Sequence, residues 1–284
     1  MSKKDIIVIG GPTASGKTSF AIQIAQKIQG EIINADAIQV YQDLRILSAR
    51  PTQKEQQDIS HHLFGFVDAW SNYSVQNWLL DVAKVIPSIK HPIFVGGTGF
   101  YLDALINGIS EVPDIPEDVR KTVRQMDIEE IKRKVKDTRF TDPQRLRRSF
   151  EVQLATGKSL SYFQQQPKKH IIDGNFKLVY LLPPREKIYA RCERRLIKML
   201  QQGMIEEVEK LQKLNPTGGV LKAIGVSDII QMINGKINKE EMLNQVLLST
   251  KHYAKRQMTW FRHQGHPDFI IEDPQSISIV EITK

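Results

Sequence analysis

The residues most able to do chemistry fall in GGPTASGKTSF, residues 10–20, where Gly11, Gly16, Lys17 and Thr18 fill the pattern G-x-x-x-x-G-K-[ST]. An apolar run, IIVI, precedes it, and Ile22, Ile24, Ala25 and Ile28 follow with helical spacing, the strand–loop–helix setting a phosphate loop requires. In such a loop, backbone N–H groups and the positive end of the next helix point at phosphate oxygens. The lysine ammonium reaches the outer phosphate, and the threonine hydroxyl ligates Mg²⁺. The pattern leaves open whether the ligand is a nucleoside triphosphate or another diphosphate. In EIINADAIQVY, residues 31–41, Asp36 follows an apolar run, so it either opens beside the phosphate loop or caps a helix. IFVGGTGFYLDAL, residues 93–105, places Thr98 between a strand and a helix, where it either serves the same crevice or is a simple cap.

Basic side chains form the remaining candidates. Arg145 and Arg148 lie one turn apart in QRLRR, and Arg191, Arg194, Arg195 and Lys198 fall at i, i+3, i+4 and i+7, one stripe of one helix. In TKHYAKRQMTWFRHQ, residues 250–264, Lys251, Lys255 and Arg262 align, with Tyr253, Trp260 and Phe261 interleaved. Cations beside stacking surfaces suit an RNA backbone with unpaired bases, although one of Trp260 and Phe261 is expected in the core. His61 and His62 are adjacent and, in a strand, point to opposite faces, so no metal is assigned to them.

The elements needed to position these groups are alternating strands and helices. Apolar runs at 6–9, 31–33, 93–95 and 177–182, with FIIE at 269–272 as a late strand, imply an α/β protein with a P-loop NTPase-like parallel sheet core. From Ser110 to about Gly174 the sequence turns charged and is punctuated by Pro113, Pro116, Pro143 and Pro167, with VRKTVRQMDIEEIKRKVKD reading as helical. Residues 111–174 are therefore expected to form an inserted helical subdomain, and residues 1–110 and 175–284 the catalytic core with C-terminal helices. Of the 284 residues 40% are hydrophobic and 25% charged, ample for a buried core. One cysteine, Cys192, excludes an internal disulfide and cysteine-pair zinc modules and suggests a reducing compartment. No apolar segment approaches membrane-spanning length, and the N-terminus runs straight into the first strand, so a soluble, cytoplasmic protein is expected. The net charge of +8 is weak support for a polyanionic partner.

Taken together, GPTASGKT at 11–18, DAIQVY at 36–41, HHLFGFVD at 61–68, GGTGFY at 96–101, QRLRRSFEVQLATGKSLS at 144–161, KAIG at 222–225 and KRQMTWFR at 255–262 resemble the tRNA dimethylallyltransferases, also called isopentenylpyrophosphate tRNA transferases. The resemblance implies transfer of a dimethylallyl group from dimethylallyl diphosphate to N6 of adenosine 37, in the anticodon stem-loop, by a monomer that uses Mg²⁺ on Thr18. It implies that Asp36 takes or orients the N6 proton, with Thr98 and Arg191 as further catalytic residues. The diphosphate would lie on Gly11, Pro12, Thr13, Ala14, Ser15, Gly16, Lys17, Thr18 and Arg195. Contacts to tRNA are implied for Asp36, Ala37, Ile38, Gln39, Thr98 and Arg120, for Gln144, Arg145, Leu146, Arg147 and Arg148, and for Lys255, Arg256, Gln257, Trp260 and Arg262. Two departures stand out. Val226 and Ser227 follow KAIG where the family has a tyrosine and a nearby acidic or glutamine residue, and the segment before QRLRR is short. A P-loop small-molecule kinase is the competing reading of the loop and Asp36, but it gives QRLRR and KRQMTWFR no role.

Overall fold

A computed structural model describes residues 3–274 and 279–283. The core begins with β1 (Lys4–Gly10), α1 (Lys17–Ile28), β2 (Glu31–Asn34), α2 (Gln53–Gln56), β3 (His61–His62), α3 (Val75–Val85), β4 (Pro92–Gly96) and α4 (Gly99–Asn107). The charged middle segment forms α5 (Glu117–Gln125), α6 (Ile128–Lys134), α7 (Pro143–Thr156) and α8 (Leu160–Gln164). The chain then returns through β5 (Gly174–Leu181), α9 (Arg185–Gln201), α10 (Met204–Lys213), α11 (Val226–Ile233), α12 (Lys239–His263), β6 (Phe269–Ile271) and α13 (Ile279–Thr283).

The six strands pair in the order β3-β2-β4-β1-β5-β6, every pair parallel. A parallel sheet buried on both faces explains why β1 reads as the continuous run IIVI. Ile7 and Ile9 of β1 pack with Phe20, Ala21, Ile24 and Ala25 of α1, whose inward stripe recurs every turn. Register fixes the level at which the strands end: Gly10 lies opposite Gly96 and Tyr180, and Asn34 opposite Val95. The turns after β1, β2 and β4 thus leave the sheet at one level, the edge where α/β proteins bind ligands.

Each expected strand is present, and β3 is an additional two-residue edge strand pairing with Ile32 and Ile33. It is too short to show a period of two. A second buried cluster joins Val40, Tyr41, Leu44 and Val67 to Met204, Val208, Leu211, Val226, Ile229, Met242 and Val246, so the C-terminal helices pack on the segment that follows β2. Val226, one of the departures after KAIG, belongs to this core.

The chain divides into two compact units: one up to Ile106 and from Ile171 onward, the other Asn107–His170. The smaller unit has its own core, in which Leu146 and Phe150 of α7 meet Val123, Ile131 and Val135. The stretch read as one helical run is two helices, because Met126 is extended and Asp127 caps α6 by accepting from the Glu129 and Glu130 amides. Among the described residues, no helix is long and apolar enough to cross a membrane.

Candidate active site

The turn after β1 wraps into a cradle. Gly11 and Gly16 have φ of 150° and 97°, and Ala14 has φ of 61°. A Cβ on Gly11 would strike the Leu181 carbonyl, so the close passage of the loop past the end of β5 requires glycine there. Gly16 caps α1 and directs the amides of its first turn into the loop. Ser15 is buried, and its Oγ has no hydrogen-bond partner among the described residues, a hydroxyl available for an anion inside the cradle. Thr18 is exposed on the first turn of α1.

Cations from two helices converge on this loop. Lys17 Nζ donates to Pro12 O at 2.7 Å, and Arg195 Nη1 of α9 donates to Thr13 Oγ1 at 2.8 Å. Arg191, one turn earlier on α9, donates to Ala14 O and Ser15 O at 3.3 and 3.1 Å. Of the basic stripe on α9, these two face the loop, whereas Arg194 is exposed and Lys198 lies 3.9 Å from Glu55. Burial holds the Lys17 ammonium down to about 7, an effect opposed by the Asp36 carboxylate and reinforced by Arg195. Burial lowers Arg195 as well. Positive charge gathered where water is scarce makes the loop a receptor for a polyanion.

Asp36 stands beyond the end of β2, held by the strand's last residue. Asn34 is buried: its Oδ1 accepts from Asp36 N at 2.9 Å, its Nδ2 donates to Asp36 O and Leu63 O, and its own carbonyl accepts from Trp78 Nε1 at 2.7 Å. Asp36 does not cap a helix, because residues 37–40 form a turn. Its Oδ1 accepts from the Ile38 and Gln39 amides, while its charge acts on Lys17, Arg195 and Tyr253 across the crevice. Thr98 stands at the N-cap position of α4, its carbonyl accepting from Tyr101 N and Leu102 N, while its Oγ1 accepts from Ala37 N at 3.0 Å and joins the turn after β4 to the turn after β2.

Helix α12 closes the crevice and separates its side chains by face. Lys255, Arg256 and Arg262 are exposed, and Phe261 is buried against Tyr180. Trp260 is half-buried with its ring where a Cβ of Gly99 would lie. Tyr253 lies on α12 within the field of the Asp36 carboxylate. Burial and the Asp36 charge push its phenol above the usual range, so it stays protonated.

Several expected contact residues are engaged within the protein. Gln257 is only 5% exposed and both ends of its amide are engaged by backbone, Oε1 by Thr13 N and Nε2 by Gly97 O. Leu146, 2% exposed, is a core residue of the smaller unit. Arg147 donates to Val123 O, Arg124 O and Met126 O, covering the carbonyl end of α5. Arg120 donates its Nε to Ile115 O, and Arg148 pairs with Glu151 at 3.5 Å, whereas Gln144 and Arg145 are exposed. The Gln39 side chain donates to Ser48 O and Ala49 O, which fixes its amide on its own loop. Asn34 and Trp78 are supporting residues of the site that sequence patterns alone do not single out. A buried asparagine ending the apolar run EIIN is the signal that marks one of them.

Known proteins resemble this chain over nearly its whole length. The profile of a family described as IPP transferase matches residues 39–264, and that of isopentenyl transferase matches residues 4–64. A tRNA dimethylallyltransferase of Rhizobium etli is 41% identical over 283 residues, covering 93% of this chain and 95% of that protein. The crystal structure of a tRNA delta(2)-isopentenylpyrophosphate transferase from Staphylococcus epidermidis superimposes with a TM-score of 0.71 at 29% identity, covering 99% of this chain and 98% of that one. A eukaryotic dimethylallyltransferase, solved in snapshots of its action on tRNA, gives 0.75 at 27% identity over 91% of this chain and 70% of its own. With a cationic phosphate cradle, a carboxylate at the next strand end and this extent of likeness, the chain belongs to the IPP transferase family.

Proposed function

We propose that the protein transfers the dimethylallyl group of dimethylallyl diphosphate to N6 of adenosine 37 in tRNA, releasing diphosphate. The observation that carries this reading is the convergence of Lys17, Arg191 and Arg195 on one loop whose charge field includes Asp36. Such a site can hold a diphosphate and receive a proton in one place. The exocyclic amine of adenine is a weak nucleophile, because its lone pair is delocalised into the ring. An allylic C–O bond, in contrast, breaks readily once charge on the departing diphosphate is neutralised. As N6 bonds to the allylic carbon and the C–O bond breaks, the electron pair leaves with the diphosphate, stabilised by the three cations and by loop amides. The N6 proton passes to Asp36. Thr98 and Tyr253 flank the position of the extruded base.

The donor set fits Mg²⁺. Among the described residues no three His, Cys, Asp or Glu side chains gather into a metal site. Magnesium that keeps several waters and binds substrate phosphates needs only one or two protein oxygens. Thr18 would hold it, and the ion would neutralise diphosphate charge. Contacts to the tRNA backbone are assigned to the exposed Lys255, Arg256 and Arg262, and in the smaller unit to Gln144, Arg145 and, with part of their donors, Arg120 and Arg148. The reaction would take place in the cytoplasm.

The test is incubation of the purified protein with unmodified tRNA and radiolabelled dimethylallyl diphosphate. Label should enter adenosine 37 without ATP. Absence of transfer, or a strict need for ATP hydrolysis, would favour a small-molecule kinase instead.

A further inference from the structure

Three loops must hold register for the chemistry: the phosphate loop after β1, the Asp36 turn after β2 and the Thr98 turn after β4. They are 61 and 244 residues from their partners in sequence, and none is braced by its own neighbours alone. One buried side chain reaches two of them. Gln257 accepts from Thr13 N at 2.8 Å and donates to Gly97 O at 2.7 Å, and the passage is so close that a Cβ on Gly97 would overlap its Nε2. The Thr98 turn is itself joined to the Asp36 turn, because Thr98 Oγ1 accepts from Ala37 N at 3.0 Å. Gln257 thus ties the phosphate loop to the turn that holds Gly97 and Thr98, and Thr98 ties that turn to Ala37, next to Asp36.

Because the Thr13 amide is occupied by Gln257, it is withdrawn from the set of loop N–H groups available to phosphate. The bond instead orients the peptide next to Ala14 and Ser15, whose carbonyls receive Arg191. Resting on the reaction proposed above, we infer that Gln257 is a positioning residue: it fixes the phosphate loop against the Thr98 turn, so that the allylic carbon and the base's N6 meet at reacting distance. It has no contact with tRNA. Its neighbours Lys255 and Arg256, on the outer face of α12, carry that contact.

The inference is tested with Gln257→Leu, which loses both bonds, and Gln257→Glu, which keeps an acceptor for Thr13 N and loses the donor to Gly97 O. Both are compared with the wild type for pyrophosphate affinity, tRNA affinity, and kcat and KM in prenyl transfer. For Gln257→Leu, kcat should fall by roughly 10-fold or more, the scale of a lost alignment with a backbone amide left unpaired. Pyrophosphate affinity should fall, tRNA affinity and its salt dependence should be unchanged, and Gln257→Glu should lie between wild type and Gln257→Leu in pyrophosphate affinity. Weakened tRNA binding with a normal kcat at saturation would overturn the inference and make Gln257 a nucleic-acid contact. If Gln257→Leu does not fold, Gln257→Glu carries the test: it should lower kcat with tRNA affinity intact, and an unchanged kcat would also overturn the inference. A wild type that binds pyrophosphate but transfers no prenyl group would instead refute the reaction.

Discussion

At the scale of single residues, the site is organised around unequal protonation. Lys17 is lowered to about 7 chiefly by burial, so its ammonium is destabilised in the folded protein. Because the folded value lies below the unfolded one of 10.5, the unfolded chain binds more protons between those two values, and stability rises with pH across that window. A bound diphosphate acts in the opposite direction, drawing a proton onto Lys17. Binding of dimethylallyl diphosphate at pH 8, measured by calorimetry in buffers of different ionisation enthalpy, should therefore take up protons. The uptake should shrink as pH falls through about 7, and in Lys17→Met it should be absent throughout. Asp36 calls for a kinetic prediction: Asp36→Ala should reduce turnover by about 10²-fold or more, with tRNA affinity within a few fold, because proton removal matters mainly in the transition state. A single-turnover assay beside a tRNA-binding titration separates the two quantities, and near-normal turnover would remove Asp36 from the mechanism.

At the scale of elements, the division of labour within α12 is the central result. Tyr253, Gln257 and Phe261 recur every four residues toward the crevice, and Lys255, Arg256 and Arg262 face outward. Replacing Lys255 and Arg256 by glutamine should weaken tRNA binding and flatten its dependence on salt, since fewer counterions are released, while pyrophosphate affinity stays unchanged. Filter binding across a salt series measures both, and an unaltered slope would assign the pair to packing. Much of this level was legible from the sequence, because the phosphate loop, the strand preceding Asp36 and the basic stripes rest on local patterns. What escaped has no local signature. Gln257 lies inside a basic segment and reads as part of it, but its partners are a backbone N–H and a carbonyl far away in the chain. Leu146 and Arg147 sit within QRLRR and look like nucleic-acid contacts, yet one fills a core and the other satisfies the carbonyls at the end of a neighbouring helix. The break after Gln125 was equally hidden, because Met126 and Asp127 are compatible with a helix until Asp127 turns its carboxylate to the next two amides.

At the scale of the whole molecule, the two compact units have separate apolar cores. Leu146→Ala should therefore destabilise the smaller unit by about 2–5 kcal/mol. Hydrogen exchange should quicken within residues 107–170, with pyrophosphate affinity unaltered. A loss of anion binding in that variant would show that the units' stabilities are coupled. The larger unit is assembled from both ends of the chain, since β1 pairs with β4 and β5, and Thr13 is bonded to a residue 244 positions later. That spacing has a consequence for the protein on the ribosome. At ordinary synthesis rates, on the order of ten to fifty seconds separate the emergence of the phosphate loop from that of Gln257. Throughout that interval the nascent chain carries a complete G-x-x-x-x-G-K-[ST] motif without a complete α12, and for most of it without Arg191 and Arg195, so an interrupted translation product would display the motif and be unable to use it.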